Sequence, residues 1–191
     1  MQHALRPRAT AAFLALAAGG ALAAYGPSAA AHAAAPAHAT ARTAGTLSPA
    51  AGEPPCTTAH TRVTVAKVVR PVNHMLLTVT NTGSTRCAAY GAPVVGFDGD
   101  QSPLRVLDDS VPQAVVELEP GDSAYAGILL SSADGSGTHG HHVTSLRAGF
   151  ENRDLEPIGT PTTLPVPGGA YEDDSAFVTY WQSTPALALL Y

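Results

Sequence analysis

Apolar and polar positions alternate along most of this chain in short runs, with turn residues between them. In residues 62–69, Val63, Val65 and Val69 share a face with Lys67, and Thr64, Ala66 and Val68 share the other. That period of two predicts a strand. Residues 75–80 alternate in the same way, with Met75, Leu77 and Val79 against Leu76, Thr78 and Thr80. Pro71 and Asn73 separate the two runs, which are expected to pair as neighbours. Asn81-Thr82-Gly83-Ser84 is turn chemistry, because Asn tolerates left-handed φ and Gly lacks a Cβ.

Further along, the pattern predicts a second turn at Tyr90-Gly91, a short strand over 94–98, a hairpin turn at Asp98-Gly99-Asp100 and a return over 104–107. Residues 114–118 form another expected strand, stopped by Glu119-Pro120-Gly121-Asp122. Residues 123–130 place Ala124, Ala126, Ile128 and Leu130 on one side. A Gly/Ser loop follows over 131–140, then strands over 143–150, over 160–166 (interrupted by prolines) and over 176–181. No apolar spacing of three and four persists for three helical turns. Short strands with turn signals between them predict an all-β sandwich or barrel.

Composition changes sharply before residue 56. Arg6 and Arg8 precede an apolar stretch over 11–24, which is shorter than the roughly 20 residues of a membrane span. Ala31-His32-Ala33 then fits a signal-peptidase site, as does Ala21-Leu22-Ala23. Residues 1–33 are thus expected to be a cleaved secretory leader, with an uncleaved anchor as the alternative. No cysteine lies near it to accept a lipid. Residues 34–55 are mostly Ala, Pro, Thr, His and Gly with almost no large apolar residue, and are expected to be a disordered, flexible linker. Residues 56–191 are expected to form one domain, secreted to the medium or the cell wall and without a membrane span once the leader is removed.

That domain has seven basic against fourteen acidic side chains, a formal charge of −7. Its few arginines are scattered, which argues against nucleic acid as a partner. Its two cysteines, Cys56 and Cys87, are most simply a disulfide in an exported chain, with two free thiols as the alternative. Closing a loop of that size, about 32 residues, is worth roughly 3–4 kcal/mol of chain entropy.

The order of Cys56, Thr80-Asn81-Thr82-Gly83-Ser84 with Cys87, Tyr90-Gly91-Ala92-Pro93, and Leu118-Glu119-Pro120-Gly121-Asp122-Ser123-Ala124 resembles a secreted actinobacterial family, the domain of unknown function 4232. The likeness covers about residues 56–181. It implies an immunoglobulin-like β-sandwich, of about seven to nine short strands, exported to the envelope and with no established activity. Many members have a second cysteine pair in the later half; this chain has none.

The chemistry the residues offer is sparse. His139, His141 and His142 lie in a Gly-rich stretch and are candidate zinc or copper ligands. Neighbours on a strand point to opposite faces, so His139 and His141 are expected to chelate together while His142 faces away. The Gly-rich loop predicts adventitious binding, roughly micromolar or weaker. No serine sits in a triad with these histidines. Asp108-Asp109 and Glu172-Asp173-Asp174 are carboxylate clusters that could take calcium, though neither has the spacing of a calcium loop. Tyr171, Phe177, Tyr180, Trp181 and Tyr191 could form a contact patch or cap the core. The apolar run 185–191 reads as an edge strand or a docking tail. These features predict no enzyme, no catalytic residue and no cofactor. They predict a binding domain whose ligand is another protein or an envelope component; the alternative is a metal-handling envelope protein built on the histidine loop.

Overall fold

The structure, a computed structural model, describes residues 52–191. The expected leader and most of the expected linker lie outside the described residues. Nine strands follow one another: β1 (Thr61–Lys67), β2 (His74–Asn81), β3 (Cys87–Phe97), β4 (Arg105–Val106), β5 (Val116–Leu118), β6 (Ser123–Leu129), β7 (His141–Glu151), β8 (Pro157–Glu172) and β9 (Phe177–Val178). A single-turn helix, α1 (Pro185–Ala188), ends the order. The strands form a β-sandwich of two sheets, one in the order β1-β2-β6-β9-β4 and the other β5-β3-β7-β8.

Alternation accounts for the core. Met75, Leu77 and Val79 of β2 and Ala124, Ala126 and Ile128 of β6 are fully buried, on the face the period of two assigns them. β1 and β2 pair antiparallel, with Val63 opposite Val79 and Val65 opposite Leu77. From the other sheet come Val95 and Phe97 of β3 and Leu146, Ala148 and Phe150 of β7. Trp181 stacks on Phe150 at 5.6 Å between ring centroids. Cys56 and Cys87 are joined, which ties the segment before β1 to the start of β3. That segment also runs beside β3: Ala88 N donates to Pro54 O at 2.8 Å, and Tyr90 Oη donates to Glu53 O at 2.7 Å. Residues 53–55 therefore lie against β3, although their composition matches the linker.

Four local expectations are corrected. Tyr90-Gly91 is not a turn. β3 runs through it with a bulge, where Gly91 takes φ +57° and Ala92 N donates to the Glu151 carboxylate at 3.1 Å. That φ favours glycine, and a Cβ on Gly91 would push the Glu151 carboxylate away from Ala92 N. Residues 104–107 do not return beside β3. One bond from Leu104 N to Val95 O remains at 2.7 Å, and β4 crosses to the other sheet to pair in parallel with β9. The proline-interrupted run is the longest strand, because β8 is an edge strand and the prolines need donate to no outer neighbour. Lastly, residues 185–191 do not add an edge strand; they dock on β6 through a single helical turn. Thr184 caps α1 by accepting from Leu187 N at 3.3 Å. Ala188 O presses on β6 so closely that a Cβ on Gly127 would meet it at 2.0 Å.

The hinge between β3 and the following turn is held by one carboxylate. Asp98 accepts from Ser145 N at 2.8 Å and from Thr144 N and Oγ1, each at 2.9 Å. These donors, Ser145 N–H foremost, hold its pKa at about 2 against the opposing effect of desolvation. The folded value lies below the ordinary 3.8. The ionised group therefore contributes stability above about pH 4, and that contribution is lost as pH falls through about 2.

Cys87→Ser should cost on the order of 2–5 kcal/mol, read as a lower denaturant midpoint at unchanged slope. Asp98→Asn should be less stable than the parent at pH 7, and its urea midpoint should fall less between pH 5 and pH 2. A parent and variant with parallel pH profiles would contradict the assignment of Asp98.

Candidate functional site

A cleft of about 420 Å³ opens where the turn after β3, the loop between β6 and β7, and the end of β8 converge. Asp100, Arg105, His139, His141, Glu172 and Asp174 are among its lining residues. Each polar group is placed by a backbone feature. His141 is the first residue of β7 and stands directly across the ladder from Glu172, the last residue of β8. Their side chains meet, His141 Nδ1 lying 3.1 Å from Glu172 Oε1. Asp100 comes from the tight turn that Gly99 permits at φ +99°, and one of its oxygens accepts from Phe97 N at 2.8 Å. Donor atoms of Asp100, His141 and Glu172 all lie within 4.8 Å of one another.

The electrostatics of this cluster are unbalanced. The Glu172 side chain is only 8% exposed, whereas His141 remains 43% exposed. Burial pushes the Glu172 carboxyl above its usual range, Asp100 and Asp173 push it further, and His141 partly opposes them. Arg105 does not compensate: its guanidinium lies over the Phe177 ring at 5.1 Å and donates to Ser175 O at 3.3 Å.

The three histidines of the sequence motif are divided. His139 and His141 line the cleft, while His142 packs edge-on against Tyr171 at 5.6 Å. The loop that carries them is tied down. Asp174 accepts from Thr138 N at 2.6 Å and Thr138 Oγ1 at 2.5 Å; these bonds, followed by the nearby His139, lower its pKa. Ser132 N donates to Ser175 Oγ at 2.7 Å, and Gly137 N to Ser132 Oγ at 3.2 Å. A Cβ at Gly137 would fall 2.2 Å from the Asp173 carboxylate, so this glycine serves close approach rather than mobility.

The carboxylate triplet is likewise divided. Glu172 faces His141, Asp173 accepts from Ser175 N at 3.0 Å, and Asp174 holds Thr138. The triplet is therefore not a single calcium loop. Asp108 and Asp109 sit exposed in a 3₁₀ turn, apart from the cluster. Of the two readings of the aromatic residues, core packing holds for Trp181 and Phe177, which are buried, while Tyr171 and Tyr191 are well exposed and no single patch forms among the five. Sequence reasoning missed Asp100 as a site residue. Its only signal was the Asp98-Gly99-Asp100 turn, which in sequence marks a change of direction and no chemistry.

A second concavity, of about 550 Å³, lies between residues 110–117 and the C-terminal segment. Val111, Val115, Leu187 and Tyr191 line it and are each at least two-fifths exposed. Tyr191 Oη donates to Asp109 O at 2.8 Å, and a ring nitrogen of the buried His74 lies 2.9 Å from Tyr191 O. The wall formed by residues 182–191 is thus fastened at its far end. No helix among the described residues is long and apolar enough to cross a membrane.

No curated protein and no solved structure matches the chain. Residues 56–182 match a family known as the Domain of unknown function (DUF4232). Those residues run from the first cysteine to the strand that closes the sandwich, and they include Asn81, whose side chain donates to Leu118 O at 3.0 Å and so joins the two family-like turns. The chain belongs to the DUF4232 family.

Proposed function

We propose that this is a secreted, non-enzymatic binding domain whose partner is a protein, docked in the apolar groove beside α1. The observation that carries the reading is the gathering of Val111, Val115, Leu187 and Tyr191 around one groove. Apolar side chains exposed together mark interaction sites far better than scattered ones do. β5 forms one wall and is the outer strand of its sheet, so its free backbone edge can accept an extended segment by strand addition. The occupant is an extended peptide with alternating apolar residues and basic flanks. Asp108 and Asp109 stand exposed at one end of the groove, Glu117 lines it, and the domain as a whole carries −7.

A non-enzymatic role is supported by how the histidines are used. His141 faces a carboxylate, His142 an aromatic ring, and both ring nitrogens of His74 face carbonyl oxygens, so none of these three stands against a hydroxyl or thiol as a general base does. Export is supported by the leader-like sequence and the single disulfide.

Selection of phage-displayed random peptides on the intact secreted protein tests this reading. Enriched peptides should alternate apolar residues beside Lys or Arg, and Leu187→Asp should weaken them by about tenfold or more. Peptides that bind Leu187→Asp equally well would contradict it. So would binding to purified cell-wall polysaccharide that competes with the peptides, or a homodimer that Leu187→Asp dissociates.

A further inference from the structure

We propose that Asp100, His141 and Glu172 form a binding site for a divalent first-row transition ion of the zinc class. This inference is independent of the groove and its partner. It differs from a site built on the three neighbouring histidines, because only His141 of that motif takes part and the other two ligands come from segments about 40 and 30 residues away in sequence.

The ligand spacing fits such an ion. Zinc bonds to imidazole nitrogen and carboxylate oxygen are about 2.0–2.2 Å long, so neighbouring ligand atoms around one ion sit roughly 3.0–3.5 Å apart. His141 Nδ1 and Glu172 Oε1 are already 3.1 Å apart. The most distant pair in the cluster is within 4.8 Å, so closing on an ion needs a side-chain shift of about 1–2 Å and no change of backbone.

Charge provides a second, independent argument. Glu172 is more than nine-tenths buried and points into a cleft where its near neighbours are two further carboxylates, Asp100 and Asp173. One imidazole, even protonated, leaves the cluster negative. Buried charge is tolerated when it is paired or bound to a metal, and a divalent ion supplies the balance this cluster lacks.

Preorganisation is the third. His141 and Glu172 are fixed by their cross-strand pairing, and Asp100 by its bond from Phe97 N. A site on two strand ends and a clamped turn loses little freedom on binding, unlike a free loop. The donor set selects the class of ion. One imidazole with two carboxylates favours zinc, cobalt, nickel or manganese, whereas calcium takes six to eight oxygen ligands. The open cleft leaves room for water to complete the coordination.

Isothermal titration of zinc into the intact, metal-stripped protein is the test, with calcium as the comparison ion. The expected result is one ion bound with a dissociation constant of roughly micromolar, weakened at least about tenfold in Glu172→Gln and in His141→Ala. The double variant His139→Ala/His142→Ala should bind within about threefold of the parent. Zinc should also raise the unfolding temperature of the parent and leave that of Glu172→Gln unchanged, provided the two melt alike without metal. Absence of zinc binding at about millimolar concentration would overturn the proposal. So would tighter binding of calcium, or zinc affinity that survives Glu172→Gln and disappears in the His139/His142 double variant.

Discussion

The register of β7 between β3 and β8 is the constraint on which the rest of this structure depends. β7 pairs on both sides, with β3 and with β8, and those outer neighbours carry the irregularities. A slip of one residue would turn Leu146, Ala148 and Phe150 out of the core and would separate His141 from Glu172. Two devices prevent it. Asp98 grips the backbone of Thr144 and Ser145 from the β3 side, and bulges at Gly91 and at Gly168-Gly169 absorb the extra residues of the neighbouring strands. The second bulge also receives Lys67, whose ammonium donates to Gly169 O and fastens β1 to the end of β8. The cleft with its charged cluster lies at the end of β7 where these ties converge.

The same ties set the energetic character of the two concavities. The polar cleft is lined by groups with specific partners and holds the buried Glu172 carboxyl beside one imidazole and a second carboxyl. The groove beside α1 is the reverse, apolar side chains held open by backbone bonds and by Tyr191. The first suits an ion and the second a polypeptide, and neither requires the other.

Much of the fold was legible from the chain because its central strands alternate cleanly. β1, β2 and β6 could be placed with their inward faces, as Met75, Leu77, Ala124 and Ile128 show. The family-like turns were legible as turns, but not as one bracket. Gly121 N donates to Asn81 O at 2.8 Å and Asn81 N to Asp122 O at 2.9 Å, and sequence has no local signal for contacts of that span. Elements ruled by tertiary context were the ones misread. Gly91 looks like a turn because glycine marks turns and bulges alike, and the prolines of β8 look like breaks unless the strand is known to be an edge. The terminal segment has four helical residues, too few for a period to emerge. For the site, His141 stood out in a histidine-rich run that supplies only one of the three converging groups. Glu172 was grouped with the two residues beside it, and Asp100 with its turn. Their convergence exists only through the pairing of β7 with β8 and with β3, which residue spacing does not encode.

A crystal structure of the intact protein soaked in zinc, with anomalous data collected at the zinc edge, tests most directly whether the strand ends rather than the loop build the ion site. The account predicts one strong peak within bonding distance of His141 Nδ1, Glu172 and Asp100, about 2.0–2.2 Å from each. A peak on His139 and His142 instead, or no peak in the cleft, would contradict it.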